Sequence, residues 1–222
     1  MKYIKKIFGD WSRYIDYREF YIITSQLSIL YNIVGREVFP KKQEVFKAFK
    51  LCQYKDCKIV FLGQDPYPQK DKATGIAFGN REGEEEYSPS LNVIRESLDP
   101  ELRYKFDCTL ESWCKQGILM LNSALTIESG KIGSHTWLWR DFIAKFLKNY
   151  SENNNGIIFV LWGQQAKTFL PYINTKYNHI FFEKHPAYYA RSNSKLSNDI
   201  FKKVSKLSKS LNGEDIKWID FE

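Results

Sequence analysis

The sequence lacks the segments that would place this chain in a membrane or a secretory pathway. No run approaches the ~18 consecutive apolar residues that a membrane-spanning helix needs. The amino terminus, MKYIKKIFGDWSRY, is basic but has no apolar segment of the signal-peptide kind. We therefore expect a protein with no membrane contact that works in the cytoplasm, or in the nucleus if its source is eukaryotic or viral.

Cysteine is also scarce, and its spacing argues against a metal centre. Cys52 and Cys57 form one close pair in the sequence, and Cys108 and Cys114 form another. Both spacings are longer than the C-x2-C pattern typical of zinc and iron–sulfur sites. A metal site is the alternative interpretation, but we expect reduced, partly buried thiols, no metal and no other cofactor.

The composition predicts a folded protein with a basic surface. The 222 residues are 43% hydrophobic and 16% aromatic, which is enough to build a large core. No repeat or low-complexity linker divides the chain, so we expect a single domain over residues 1–222. Lys and Arg number 33 against 26 Asp and Glu, a net charge of +7. That balance suits a polyanionic partner such as nucleic acid, although solubility is the simpler explanation.

Four short apolar runs have the length and composition of buried strands, and helical patterns separate them. The predicted strands cover 59–62, 118–121, 157–162 and 179–182. The predicted helices lie within 10–31, 43–50, 88–98, 137–150 and 195–211. Strands that alternate with helices indicate an α/β protein, here a three-layer α/β/α fold around a central, mostly parallel four-stranded sheet.

Chemically distinctive residues follow each predicted strand. Asp65, Asn122, Gly163 and His185 come at or just after the four carboxyl ends. The carboxyl ends of parallel strands share one edge of a sheet, and ligands bind there in open α/β folds. Asp65 before a proline could be only a turn residue. The convergence of a carboxylate, an amide and an imidazole favours a functional site.

Short motifs around these residues resemble those of a known enzyme family. Residues 63–68 read GQDPYP, 75–78 read GIAF, 88–91 read SPSL, 119–126 read LMLNSALT and 185–186 read HP. In this order they resemble the GQDPYH, G-x-AF, P-P-S-L, LLLN-x-x-LT and H-P motifs of the main, uracil-specific family of uracil-DNA glycosylases. The resemblance extends in order over roughly residues 10 to 220 and implies the fold, substrate and site of that family.

The resemblance assigns the chemical roles, and the residue types suit them. Asp65 and His185 would be catalytic: the carboxylate would stabilise a cationic sugar and orient water, and a neutral imidazole would hold the uracil anion. Asn122 would pair with the uracil N3–H and O4, which cytosine would refuse. His135, in the family's Ser-His motif, is expected to be structural.

Three further residues are expected to hold the uracil ring. Gln64 belongs to the same motif as Asp65, and Phe78 would stack on the base. Tyr67 would stand against C5, where the methyl group of thymine would clash. Taken alone, without the motifs around them, Phe78 and Tyr67 fit the core better than a binding site, since aromatic side chains are commonly buried.

The DNA-binding part of the motif set departs from the family. Pro68 replaces a histidine, Gln164 replaces a serine, and residues 185–190 read HPAYYA where the family has HPSPLS. Tyr189 aligns with the leucine that enters the base stack, or alternatively packs with Tyr188 against the body. The acidic run 82–86 could repel phosphate or contact a partner. The expected DNA-binding residues are Ser88, Pro89, Ser90, Gly163, Gln164, Tyr189 and Arg191.

Two functions of different classes follow from these patterns. The first is a monofunctional, metal-independent enzyme that excises uracil from DNA in base-excision repair. The second is a non-catalytic scaffold that keeps the fold to bind DNA or a replication or repair partner. The expected partners are uracil-containing DNA, single- or double-stranded, and a proteinaceous glycosylase inhibitor, and the chain is expected to be a monomer.

Overall fold

A computed structural model describes residues 2–83, 86–98 and 106–219 of the chain. Of the acidic run predicted over 82–86, Glu84 and Glu85 lie outside the described residues. The helices are α1 Lys2–Phe8, α2 Tyr17–Leu30, α3 Lys47–Leu51, α4 Pro89–Ser97, α5 Glu111–Lys115, α6 Thr136–Glu152, α7 Gly163–Lys167, α8 Pro186–Arg191 and α9 Asp199–Asn212. The strands are β1 Val38–Phe39, β2 Ile59–Gly63, β3 Ile118–Asn122, β4 Ile127–Glu128, β5 Ile158–Trp162 and β6 His179–Glu183.

Four of the strands form one parallel sheet in the order β3-β2-β5-β6. Every residue of β2, β3 and β5 is buried, as expected for strands covered on both faces. The edge strand β6 is only partly buried. The register pairs Gly63 with Asn122 and Trp162 with Glu183, so the carboxyl ends of the strands meet at one edge. The predicted parallel sheet is confirmed.

Helices cover both faces of this sheet through aromatic contacts. On one face, Tyr150 of α6 lies 6.5 Å from Phe159 of β5, measured between ring centroids. On the other face, Phe61 of β2 contacts Trp113 of α5 at 6.2 Å and Trp218 of the tail at 6.0 Å. The three-layer α/β/α arrangement is therefore confirmed.

The structure corrects several predicted boundaries. The last helix begins at Asp199 rather than near residue 195. The helix expected over 43–50 is split into a 3-10 turn, Lys42–Glu44, and the short helix α3. Two strands were not predicted at all: β1 and β4 pair antiparallel as a two-residue ribbon beside the main sheet. Strands of that length have no periodicity from which to predict them.

Residues 186–191 form the short helix α8, which is not among the helices predicted from the sequence. Pro186 occupies the first helical turn, where its missing N–H costs nothing. His185 caps the helix because its side chain accepts a hydrogen bond from the Ala187 N–H. Histidine is not among the usual capping residues, so the start signal was not apparent in the sequence.

No helix within the described ranges combines the length and apolar character that crossing a bilayer requires.

Truncating the aromatic core of β5 should destabilise the fold strongly. Phe159 is fully buried, and Phe159→Ala should lower the free energy of unfolding by about 3–5 kcal/mol because it leaves a cavity in the packed layer. Urea denaturation measures the change. Ile29→Ala, at a residue that is 64% exposed on α2, is the control and should change it by less than about 0.5 kcal/mol. Equal losses in the two variants would contradict this view of the core.

Candidate active site

A cavity of about 320 Å³ opens at the carboxyl edge of the large sheet. The segments that follow β2, β3 and β6 supply its walls, together with the start of α4 and the loop that precedes α6. Nine of the residues predicted from the sequence line this cavity: Gln64, Asp65, Tyr67, Phe78, Pro89, Ser90, Asn122, His185 and Arg191. Three of the four strand-end residues expected to converge, Asp65, Asn122 and His185, therefore line one cavity.

The other four predicted residues lie outside the cavity lining; they are Ser88, Gly163, Gln164 and Tyr189. Ser88 is the residue before α4 and is buried. Gly163 and Gln164 begin α7 directly after β5. Gly163 has a φ of +87°, and a Cβ there would approach the Cβ of His185 to 2.9 Å. A glycine is therefore required behind His185, whatever Gly163 contributes to ligand binding.

Asp65 is held by one of its two carboxylate oxygens. Its Oδ2 accepts hydrogen bonds from Gln64 Nε2 at 3.0 Å and from the Gly133 N–H at 2.9 Å. Its Oδ1 is buried and accepts no hydrogen bond from the described residues. Burial raises the pKa of Asp65 above its ordinary value, and the two hydrogen bonds partly offset that rise. Oδ2 thus has two hydrogen-bond donors, whereas the buried Oδ1 has none among the described residues.

His185 is arranged as a neutral hydrogen-bond donor. Its Nδ1 accepts a hydrogen bond from the Ala187 N–H at 3.2 Å, so the ring proton must be on Nε2. Burial, and secondarily the charge of Arg191, lowers the pKa of His185 to about 4. At neutral pH the ring is therefore uncharged, and its Nε2–H can donate to a ligand in the cavity.

Asn122 and Phe78 pack closely against Gly63 at the end of β2. A Cβ on Gly63 would lie 2.5 Å from Asn122 Oδ1 and 3.1 Å from Phe78 Cζ, so no larger residue fits without moving both. Asn122 is 8% exposed and ends β3 directly beside Gly63. Its amide therefore occupies a defined position in the cavity wall.

Phe78 contributes both to the core and to the site. It is buried, and its ring contacts Trp162 at 5.8 Å and His185 at 5.5 Å between centroids. Its carbonyl accepts a hydrogen bond from the Tyr67 hydroxyl at 2.8 Å. Its φ of +66° is unusual for a bulky residue and shows that the surrounding contacts impose this conformation. The core interpretation and the ligand-binding interpretation of Phe78 are thus compatible.

The sequence analysis did not identify the loop between β4 and α6 as part of the site. Gly133 supplies the main-chain donor to Asp65, and Ile132 lines the cavity while remaining 69% exposed. Gly130 N–H donates to the carbonyl of Pro68 at 2.9 Å. The neighbouring Ser-His motif was the available signal, but main-chain donors leave no side-chain pattern in a sequence.

The two tyrosines of α8 have different environments. The Tyr189 hydroxyl donates to Glu183 Oε1 at 2.7 Å, and its half-buried ring packs against the core. Tyr188 is 43% exposed, and its ring lies edge-on to that of Tyr189 at 5.4 Å. The amine of Lys184 lies 4.2 Å from the centre of the Tyr188 ring. In this conformation Tyr188 is the more accessible of the two side chains.

Cys52, Cys57 and Cys114 are buried, and Cys108 is half-buried. Among the described residues, no three His, Cys, Asp or Glu side chains are grouped so that they could hold a metal ion.

Comparisons with known proteins agree with one another. The profile of the Uracil DNA glycosylase superfamily matches residues 49–207. Uracil-DNA glycosylase of Campylobacter jejuni subsp. jejuni is 33% identical over 215 residues, covering 91% of this chain and 92% of the relative. The enzyme of the same name from Fusobacterium nucleatum is 30% identical over 220 residues, which are 97% of each protein.

A solved structure of mimivirus UNG is also similar to this chain. In that structure a tyrosine is replaced by phenylalanine and the protein is in complex with UGI. The TM-score is 0.78 at 26% sequence identity, and the match covers 90% of this chain and 82% of the mimivirus chain. From its profile match, its relatives and its fold, the chain belongs to the uracil-DNA glycosylase superfamily.

Proposed function

We propose that this chain hydrolyses the N-glycosidic bond of flipped-out deoxyuridine in DNA, releasing uracil and leaving an abasic site. The observation that carries the proposal is the composition of the cavity wall. A carboxylate with one oxygen that accepts no hydrogen bond from the described residues, a neutral imidazole donor and an amide line one cavity of about 320 Å³. A uracil base in duplex DNA is buried in the base stack, so its nucleotide must leave the stack to enter the cavity.

Asp65 is proposed to act on the sugar and the water. Breaking the N-glycosidic bond builds positive charge on the deoxyribose, which a nearby carboxylate stabilises. Because Gly133 and Gln64 hold Oδ2, the oxygen Oδ1 can accept a hydrogen bond from the attacking water. Asp65 thereby orients the water while its negative charge stabilises the cationic sugar.

His185 is proposed to stabilise the departing base. Uracil leaves as an anion whose charge spreads onto O2, and a neutral Nε2–H can donate a hydrogen bond to that oxygen. A cationic imidazole would be costly in this buried position, in accord with its pKa of about 4. Phe78 lies 5.5 Å from His185 between ring centroids and would stack on the base that His185 holds.

Asn122, Tyr67 and Gln64 are proposed to select uracil. An amide offers one acceptor and one donor group, which match N3–H and O4 of uracil but oppose the pattern of cytosine. The Tyr67 hydroxyl is tied to the Phe78 carbonyl, which fixes the ring where it can exclude the C5 methyl of thymine. Gln64 would complete the wall while supporting Asp65.

The DNA-binding surface is proposed to surround the cavity mouth. Ser88, Pro89 and Ser90 at the start of α4 and Arg191 at the end of the adjacent helix α8 would contact the phosphates. Gly163 and Gln164 offer main-chain and amide donors at the start of α7. A net charge of +7 supports phosphate binding in general.

Other expectations remain part of the proposal. They are a single domain over residues 1–222, a monomer, a cytoplasmic location and a reaction that needs no cofactor. The mimivirus complex with UGI supports the further proposal that a proteinaceous inhibitor can cover this site. A non-catalytic DNA-binding scaffold is the alternative function. A scaffold would not require the oriented carboxylate of Asp65 beside the neutral donor of His185.

A uracil-release assay tests the proposed function directly. In a buffer that contains EDTA, the protein should release uracil from a uracil-containing oligonucleotide and leave the abasic strand uncut. Asp65→Asn should lower turnover about 100- to 1,000-fold because the charge is lost at constant size. DNA affinity of this variant should be nearly unchanged. DNA binding without uracil release by the wild-type protein would instead establish the scaffold alternative.

The activity should depend on pH through the two catalytic groups. The ionised form of Asp65 and the neutral form of His185 are the active ones, so kcat should rise as pH increases through the acid range. The pKa of Asp65 lies above its ordinary value and that of His185 is about 4, so activity should be lost as pH falls towards 4. Stopped-flow measurements of kcat at a series of acidic pH values test this loss of activity. A rate that increases on acidification would show that a cationic imidazole is required.

Tyr189 is proposed as the wedge that fills the space left by the flipped nucleotide. Insertion must break its hydrogen bond to Glu183, and a hydrogen bond to a charged group is worth about 1.5–3 kcal/mol. An alanine side chain is too small to fill the space left by the flipped nucleotide. Tyr189→Ala should thus reduce excision from duplex DNA far more than from single strands, where little unstacking is needed. Tyr189→Phe keeps the ring without that bond and should retain duplex activity.

Tyr188→Ala is the matched control for this prediction, because Tyr188 lies beside Tyr189 on the same helix. Tyr188→Ala should change the rate of excision from duplex DNA and from single-stranded DNA by the same factor. A duplex-specific loss in Tyr188→Ala instead would transfer the wedge role to that more exposed ring. Equal losses on both substrates in Tyr189→Ala, with a lower melting temperature, would assign Tyr189 to the core.

A further inference from the structure

The loop between β4 and α6, residues 129–135, is bound to the segment that carries Asp65. Gly133 N–H donates to Asp65 Oδ2 at 2.9 Å, and Gly130 N–H donates to the Pro68 carbonyl at 2.9 Å. These two contacts lie on either side of the cavity-lining residue Ile132. The position of the carboxylate therefore depends on where this loop is held.

A buried hydrogen-bond network holds the end of the loop. The Trp139 Nε1–H donates to Thr126 Oγ1 at 2.8 Å, and Thr126 Oγ1 lies 2.9 Å from His135 Nδ1. Thr126 and Trp139 are completely buried and His135 is 4% exposed. The network joins the segment after β3 to the start of α6, and the loop lies between these two points.

The Thr126 hydroxyl is the common partner in this network. The indole N–H can only donate, so Thr126 Oγ1 accepts from Trp139. The hydroxyl has a second lone pair as well as its own proton, so it can accept from or donate to His135 Nδ1 according to the tautomer of that ring. Burial lowers the pKa of His135, which favours its neutral form. A hydroxyl at position 126 is required to satisfy both partners.

We propose that Thr126 and His135 are positioning residues for the proposed reaction: they hold the 129–135 loop so that the Gly133 N–H fixes Asp65 Oδ2 and directs Oδ1 towards the attacking water. This inference rests on the proposed function. His135 thereby acquires a role at the site, through the main chain, that its burial alone does not indicate. Neither side chain lines the cavity, so neither is expected to touch the substrate.

The Gly133 contact has two consequences for Asp65. It restricts the carboxylate to one orientation, and a misplacement of about 1 Å in a reacting group can cost about 100-fold in rate. It also stabilises the ionised carboxylate, because the hydrogen bond lowers a pKa that burial raises. The other titratable or charged side chains that line the cavity are Tyr67, His185 and Arg191, and none of them is part of the network.

Thr126→Val tests the proposal because it removes both hydrogen bonds at nearly constant volume. We expect kcat to fall about 10- to 100-fold, with KM for uracil-containing DNA changed by less than about twofold. The acid limb of the kcat profile should move to higher pH, since a weakened Gly133 contact raises the pKa of Asp65. Thr126→Ser keeps the hydroxyl and should restore both kcat and the pH profile.

Ser151→Ala is the control for lost stability. Ser151 is fully buried near the far end of α6, where its hydroxyl accepts from the Asn174 N–H at 2.9 Å and donates to the Lys148 carbonyl. Ser151→Ala should lower the melting temperature, as Thr126→Val should, without moving kcat or the pH profile. An acid limb that stays in place in Thr126→Val would overturn the positioning role. An inactive wild-type protein, or a fully active Asp65→Asn variant, would instead refute the proposed function itself.

Discussion

The parallel pairing of β2 with β3 is the constraint on which the site depends. Its register places Gly63 opposite Asn122, and the absence of a side chain on Gly63 lets the amide and the ring of Phe78 approach the main chain. Because both strands are packed on both faces, a one-residue shift in register would move every side chain to the opposite layer and disrupt that packing, so it is strongly disfavoured. Core packing thus determines where the Asn122 amide and the Phe78 ring lie.

Burial has opposite consequences for the two candidate catalytic groups. It raises the pKa of Asp65, where main-chain and side-chain donors partly compensate so that the carboxylate can remain ionised. It lowers the pKa of His185, where the Ala187 N–H occupies Nδ1 and leaves only a neutral donor form. One apolar cavity therefore contains a charged acceptor and an uncharged donor, as the separation of charge in N-glycosidic bond cleavage requires.

The part of the site that differs most from the family motifs is the helix α8. After His185-Pro186, where the family motif has Ser-Pro-Leu, this chain has Ala-Tyr-Tyr in a six-residue helix. The ring of Tyr188 is exposed, and the Tyr189 hydroxyl is bound to Glu183 on β6. The carboxylate proposed for base release and the tyrosine proposed as a DNA wedge thus lie on different elements.

The sequence by itself determined the parallel sheet, the three layers and the side chains that converge at the strand ends. Those predictions depend on the composition of buried strands and on the order of Asp65, Asn122 and His185 along the chain, which are local properties. Tertiary structure decided what main-chain groups do. Three features of the site result from contacts between segments distant in sequence or from the angle at which a short helix docks. They are the Gly133 N–H on Asp65, the capping role of His185 and the different exposure of Tyr188 and Tyr189. Main-chain donors are the same in every residue, so no sequence pattern records which of them will meet a buried carboxylate.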